Sequence, residues 1–323
     1  MIAPNRPVDI AMHANHLDKQ TVRNLWIQEV SEIANRYPNS PEPWYLTLSG
    51  AEGLDIQLLI DRGLISLTEV NSIVEKDQRK IVAIERSNNA VLELQKKFIG
   101  LQIKQMDFKN LIRGDGLISF PNGDDREVCR ARVVNLDLNS PFNGLNQNRN
   151  IVFPVVEWIK KLCRIHSIEP RMDWTLCLTL QGEIRWPLEV SGWIKKFLNE
   201  NIQHEQVFSE SCKEFLGEDL FNIVNQREHL DFNILNPENQ QNILMIIVPK
   251  IIASFAYGEG WMVQTEKSLR YGGGDRAPMV SWIVKFTWDD SAGAAPHALY
   301  SLALSQIFSG LGVITTDGII NPL

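Results

Sequence analysis

Cysteine is scarce in this 323-residue chain: Cys129, Cys163, Cys177 and Cys212 are the only four, and none forms a C-x-x-C pair. That excludes a disulfide framework and a cysteine-built zinc site, and it makes a reducing cytoplasm the simplest compartment. His13 and His16 lie three residues apart with no cysteine or carboxylate completing a metal set. Positive charge is not in excess. The formal net charge is -7, so the whole surface is no electrostatic trap for phosphate backbones, although a local basic patch stays open. An uninterrupted hydrophobic run is missing too. The longest, ILMIIVPKIIASFAY at 243–257, contains Pro249 and Lys250, reads as too short and too interrupted to span a bilayer, and is expected to be a buried helix or strand pair, with no membrane partner. The first twenty residues have no apolar core of signal-peptide length. A P-loop lysine motif, a nucleophile elbow, internal repeats and low-complexity tracts are all absent, which leaves ATP hydrolysis and serine-hydrolase chemistry without support.

What is present has the composition of an ordinary globular protein, 44% hydrophobic and 22% charged. Residues 15–36 place Val22, Leu25, Trp26, Val30 and Ile33 at helical spacing, and Pro38, Pro41 and Pro43 end that segment. From Trp44 onward apolar runs alternate with amphipathic segments: strand, helix, strand, helix, strand, loop, strand, helix, strand, as far as residue 183. Residues 109–130, rich in Gly, Asp and Arg, read as a surface loop. Such alternation implies a parallel, helix-covered sheet. Residues 187–250 read as mostly helical, and the runs EGWMVQTEKSLRY and PMVSWIVKFTW, joined by Gly272, Gly273 and Gly274, as an antiparallel pair. The expected fold is α/β: a Rossmann-like, mostly parallel sheet with an antiparallel C-terminal hairpin and a helical insert. The expected division is an N-terminal helical segment (1–43), a cofactor-binding core (44–186), the insert (187–250) and C-terminal strands completing the sheet (251–323).

The strand ends carry the chemistry. In open parallel sheets ligands sit outside the carboxyl ends of the strands. The first strand runs into Ser49, Gly50, Ala51 and Gly53, where glycine lets backbone approach a ligand and the next helix presents free N–H groups; a plain tight turn is the competing reading. Glu85 ends the second strand, placed either to accept hydrogen bonds from ribose hydroxyls or to face solvent. Asp107 ends the third, suited to an exocyclic amine with Phe108 stacking on a base, or to capping a helix. The fourth ends in NLDLNSPF, with Asp137, Asn139, Pro141 and Phe142 either holding a flat amine or forming a simple turn. Two further clusters stand out. Trp186, Trp193, Lys195, Lys196 and Phe197 suit either single-stranded nucleic acid or an amphipathic helix with its lysines in water. Arg270, Tyr271, Asp275 and Arg276 flank the glycine loop at the end of the hairpin, a place for substrate contacts or for a mere surface turn.

The ordered series of glycine turn, Glu85, MDF and NLDLNSPF, with the terminal hairpin, resembles the class I S-adenosylmethionine-dependent methyltransferases, whose antiparallel sixth and seventh strands distinguish them from dinucleotide dehydrogenases. LDLNSPF is most similar to the strand tips of amino-methyltransferases acting on nucleic-acid bases. Where the class usually has an acid at the end of the first strand, this chain has Thr47 and Leu48. The resemblance implies that Ser49, Gly50, Ala51 and Gly53 face the methionine part of S-adenosylmethionine, that Glu85 binds its ribose and Asp107 with Phe108 its adenine, and that Asp137, Asn139, Pro141 and Phe142 border the transferred methyl as the catalytic set. It also implies that the helix carrying Lys19 covers the pocket. The expected function is N-methylation of a nucleic-acid base. The alternatives are a non-catalytic binding or scaffold protein with a protein partner, and a methyltransferase acting on a small molecule or a protein.

Overall fold

A computed structural model of the chain describes residues 16–114, 116–119, 125–138, 144–145, 151–152, 154–182, 188–225, 232–273, 276–289 and 304–323. Helix α1 is Leu17–Arg36, followed by β1 Tyr45–Thr47, α2 Leu54–Asp61, the single turn α3 Glu75–Gln78, β2 Ile81–Glu85, α4 Asn88–Lys97, β3 Gln102–Gln105 and α5 Phe108–Arg113. Short strands β4 Leu117–Ser119 and β5 Asp125–Glu127 precede β6 Val133–Asp137, and β7 Gly144–Leu145 pairs with β8 Ile151–Val152. Then come α6 Pro154–His166, β9 Trp174–Gln181, α7 Leu188–His204, α8 Gln206–Asn225 and α9 Pro237–Gly258. The chain closes with β10 Trp261–Gly273, β11 Arg276–Trp288, β12 Leu311–Ile314 and β13 Ile320–Pro322.

Nine strands form one sheet in the order β13-β12-β10-β11-β9-β6-β1-β2-β3. From β3 to β9 every pair is parallel; β11 runs antiparallel to both β9 and β10. Numbering these seven strands by their sequence gives 3-2-1-4-5-7-6: the doubly wound order, with an antiparallel seventh strand inserted between the fifth and sixth. This is the α/β Rossmann-like class expected from the sequence, and the hairpin pairs as expected. Two strands beyond the hairpin were not foreseen: β12 lies parallel to β10, and β13 antiparallel to β12.

Strand geometry explains the two cores. Successive side chains point to opposite faces. Tyr45, Ile81, Ala83, Val133 and Cys177 meet α1, α2 and α4 on one side. Leu46, Val82, Ile84, Val134 and Leu178 meet α5 through α9 on the other. Both faces are covered, so the strands read as continuous apolar runs. On α1, Val22, Trp26, Ile27, Val30, Ile33 and Ala34 are buried. The large ones each contribute on the order of 1.5–3 kcal/mol of transfer free energy.

Two expectations change, and the run at 243–257, expected as a buried helix or strand pair, is the buried helix. Among the described residues of 109–130, which were read as a surface loop, Leu111, Ile112, Ile118, Val128 and Cys129 are buried, and Gly116, at φ 78°, lets the chain fold back against Cys129. The run at 243–257 is a single helix that extends to 22 residues in α9. By length and mean hydropathy it could cross a membrane, but 78% of its apolar window is buried inside the protein, under the hairpin. It continues through Pro249 and Lys250. Finally, Lys195 is buried instead of facing water, although Lys196 is exposed.

Candidate functional site

The chain winds from β1 to β2 to β3 on one side and crosses to β6 and β9 on the other, so the switch point lies where β1 and β6 adjoin. After Thr47 the backbone turns at Gly50, with φ 53°, a conformation that favours glycine. Gly53, with φ 52°, starts α2; a Cβ there would lie 2.6 Å from Phe98 Cε2 and 2.8 Å from Leu94 Cδ2, so this glycine serves helix packing.

Beneath the turn lies a buried polar network. Tyr45 Oη (2.9 Å) and Thr47 Oγ1 (2.6 Å) both donate to Asp55 Oδ2. Tyr45 Oη in turn accepts from Asn135 Nδ2 at 2.7 Å. Burial raises the Asp55 carboxyl above its ordinary range, outweighing these hydrogen bonds and the nearby Arg23 charge, which lower it. Asp55, from the first turn of α2, thus places a carboxyl group under the end of β1. The Oδ1 of Asn135, a residue 1% exposed, has no hydrogen-bond partner; nor do buried Ser49 Oγ and Trp26 Nε1. Unpartnered buried polar atoms are costly and point to a missing ligand or water.

This network floors a cavity of about 630 Å³. Leu48 to Glu52 form one wall, Asp18, Lys19, Arg23 and Trp26 of α1 form the roof, and Tyr271, Arg276 and Met279 of the hairpin form the far side. Its size is that of a small-molecule site. The roof is tied down twice. Arg276 Nη1 pairs with Asp18 Oδ2 at 2.5 Å, where the Asp18 side chain is 2% exposed. Lys19 Nζ donates to Asp137 Oδ1 at 2.5 Å and to Tyr271 Oη at 3.3 Å. Burial alone would lower the Lys19 ammonium; the charge and hydrogen bonds of Asp137 and Tyr271 more than offset this and hold it above its ordinary value.

Of the site residues read from the sequence, Ser49, Gly50, Ala51 and Asp137 border this cavity. Gly53 does not. Glu85 ends β2, where its Oε1 accepts from Ser87 N at 2.7 Å; Ser87 borders the cavity, and Glu85 does not. Asp107 caps α5, accepting from Lys109 N at 2.9 Å. Phe108 is buried, its ring edge-on to Trp158 at 5.5 Å between centroids. Asn139, Pro141 and Phe142 lie outside the described residues. The helix carrying Lys19 covers the pocket, and Tyr271 and Arg276 from the glycine loop reach it; Asp275 lies outside the described residues. Asp18, Arg23, Trp26, Asp55 and Asn135 were missed. Asn135 had a signal: a lone amide inside the apolar run VVNLD. Among the described residues no group of three or more His, Cys, Asp or Glu could hold a metal.

No family model matches the chain, and no curated protein matches it. Solved structures that are similar in part include the following two. Trm1 from Pyrococcus horikoshii, in complex with S-adenosyl-L-methionine, is 12% identical, with a TM-score of 0.40 over 85% of this chain and 57% of that one. A candidate Zn-dependent alcohol dehydrogenase from Rhodobacter sphaeroides is 11% identical, with a TM-score of 0.31 over 83% of this chain and 98% of that one. The match thus spans little more than half the length of Trm1. The fold class follows from the strand order itself.

Proposed function

We propose that this protein is an S-adenosylmethionine-dependent methyltransferase whose acceptor is a nitrogen, with a nucleic-acid base as the leading substrate class. The observation that carries the reading is the cavity at the switch point, bounded by the glycine turn and lined with acids and bases together. A zwitterionic amino-acid tail needs both signs of charge, and Lys19, Arg23 and Arg276 stand close to Asp18, Asp55 and Asp137 around one space. The unpartnered Asn135 Oδ1 and Ser49 Oγ fit a ligand rich in polar groups.

The sulfonium of the donor supplies an electrophilic methyl group. The acceptor nitrogen's lone pair forms the new C–N bond, the C–S electron pair returns to sulfur, and a nitrogen-bound proton passes to water. Little acid–base machinery is required of the protein; alignment and exclusion of water are. Ser49 to Ala51 give close backbone approach, α1 shields the site, and Asp137 accepts a hydrogen bond from the acceptor amine. A base within a duplex would first have to be flipped out.

A second reading, with a small molecule as acceptor, draws support from the net charge of -7. Transfer of labelled methyl to mixed RNA, DNA and a small-metabolite extract, repeated at rising salt, separates the two. Label on nucleic acid that falls steeply with salt supports the first reading, because phosphate contacts release counterions. Label confined to small molecules supports the second. No label in any fraction contradicts both.

A further inference from the structure

Positive charge in this chain gathers at one edge of the sheet. Between Arg86 and Arg113 six Lys and Arg residues meet two acids, Glu93 and Asp107, in a chain of formal net charge -7. The segment runs from the end of β2 through α4 and β3 to α5, and β3 is the outermost strand on that side. Some of these bases are occupied. Lys96 pairs with Glu93 at 2.8 Å, and Lys97 Nζ donates to the Glu52 carbonyl oxygen at 2.8 Å. Arg86, Lys109 and Arg113 are exposed, and none of the three pairs with an acid among the described residues.

Backbone geometry brings these three together. Met106 N donates to Glu85 O at 3.0 Å, so β2 and β3 end side by side. Arg86 follows one strand end, and Lys109 follows the other. On α5, Phe108, Leu111 and Ile112 are buried, which turns Lys109 and Arg113 outward, four residues apart on one face. Like charges at that spacing cost a helix stability. Lys104 of β3 lies opposite Ile84, on the sheet face that α5 covers. Ser87, next to Arg86, borders the cavity. An unneutralised basic edge therefore begins at the rim of the cavity, on a chain that is acidic as a whole.

We propose that Arg86, Lys109 and Arg113 hold the phosphate backbone of an unpaired nucleic-acid strand, whose target base passes Ser87 into the cavity. This rests on the reading that the acceptor is a nucleic-acid base. Separate cations along an edge match the regular charges of a strand, and contacts of this kind position the strand without reading its sequence. An unpaired strand offers its bases without the cost of opening a duplex.

The test follows short labelled RNA and DNA strands of mixed sequence by fluorescence anisotropy at rising salt. Full-length wild type is compared with a triple variant, Arg86→Ala with Lys109→Ala and Arg113→Ala. The control triple, Lys196→Ala with Lys213→Ala and Lys267→Ala, removes the same charge from exposed positions on α7, α8 and β10. The edge variant is expected to bind about tenfold more weakly, with a log–log salt slope shallower by about 2, as loss of three phosphate contacts to a single strand requires. If that variant does not fold, Arg113→Gln replaces it, with an expected slope change of about 0.7. Equal losses in both triples, or undiminished binding in the edge variant, overturn the surface. Tighter binding of poly-glutamate than of either strand also overturns it, in favour of an acidic protein partner. Calorimetry with S-adenosylmethionine separates the two readings. Loss of strand binding in the edge variant, with no donor binding to wild type, upholds the surface and overturns the methyl-donor reading. Donor binding with no strand binding to wild type overturns the surface alone.

Discussion

Single side chains at the switch point do work that the strand pattern does not announce. Asp55 satisfies two buried hydroxyls at once, on Tyr45 and Thr47. Asp55→Ala should therefore cost about 1–3 kcal/mol, the desolvation penalty of the orphaned partners, seen as a lowered urea midpoint. His166 gives a pH dependence. Its ring is buried, stacked on Trp174 with centroids 4.3 Å apart, and burial lowers its pKa to about 4, against the backbone carbonyls of Leu162 and Ala131, which favour its proton. In the unfolded chain the same group titrates near its ordinary 6.5. Between those values the unfolded state binds more protons, so stability falls as pH drops from about 6.5 to about 4, by roughly 3 kcal/mol at most. Urea midpoints across that range should slope in wild type and flatten in His166→Gln; parallel slopes would contradict the assignment. At this scale the sequence was half legible. Ser49, Gly50, Ala51 and Asp137 were readable because strand ends face the crevice. Phe108 was not, because one residue past the strand decides whether a ring meets ligand or core. Asp55 and Asn135 were hidden because each looks like a routine polar residue until the sheet brings them together across 80 positions of chain.

Helix α1 roofs the cavity. Its inner face is apolar and anchors it to the sheet, while Asp18 and Lys19 in its first turn reach the cavity. Arg276→Ala would leave the buried Asp18 carboxylate without its partner. The expected cost is about 2–4 kcal/mol, at or below the range for breaking a buried pair because Arg276 keeps some exposure. Limited proteolysis should then cut within residues 17–36 faster than in wild type, while unchanged cutting would show that the apolar face alone holds the helix. At the other end of the turn, Gly53→Ala combines a left-handed φ with a Cβ driven against Phe98, and should lower stability by about 1–3 kcal/mol. The helical spacing of α1 and α6 and the period of the hairpin strands were plain in the sequence. The segment at 109–130 misled because its glycines and acids resemble a solvated loop. Gly116 instead permits close packing on Cys129, and the interrupted apolar residues still fill one core.

The described residues build a nine-stranded sheet with a helix layer on each face, and the cavity lies where the strand order reverses. The alternation of strands and helices as far as residue 183 and the glycine-linked hairpin were legible. The last two strands were not, because LGVI and INP are too short to show a period. They matter mechanically: β12 pairs with β10 and covers its outer edge, and Thr21 Oγ1 of α1 donates to Gly318 O at 2.8 Å. Removing residues 311–323 exposes a long strand edge, so size-exclusion should show more self-association than in the 323-residue chain. The central claim is that the cavity between β1, β6, α1 and the hairpin binds the methyl donor. Calorimetric titration of the intact protein with S-adenosylmethionine, beside an Ala51→Trp variant whose indole fills that cavity, tests it most directly. Saturable one-to-one binding to wild type, lost in a variant that melts at the same temperature, is the predicted result. Binding undiminished in Ala51→Trp, or no binding to wild type, would contradict it.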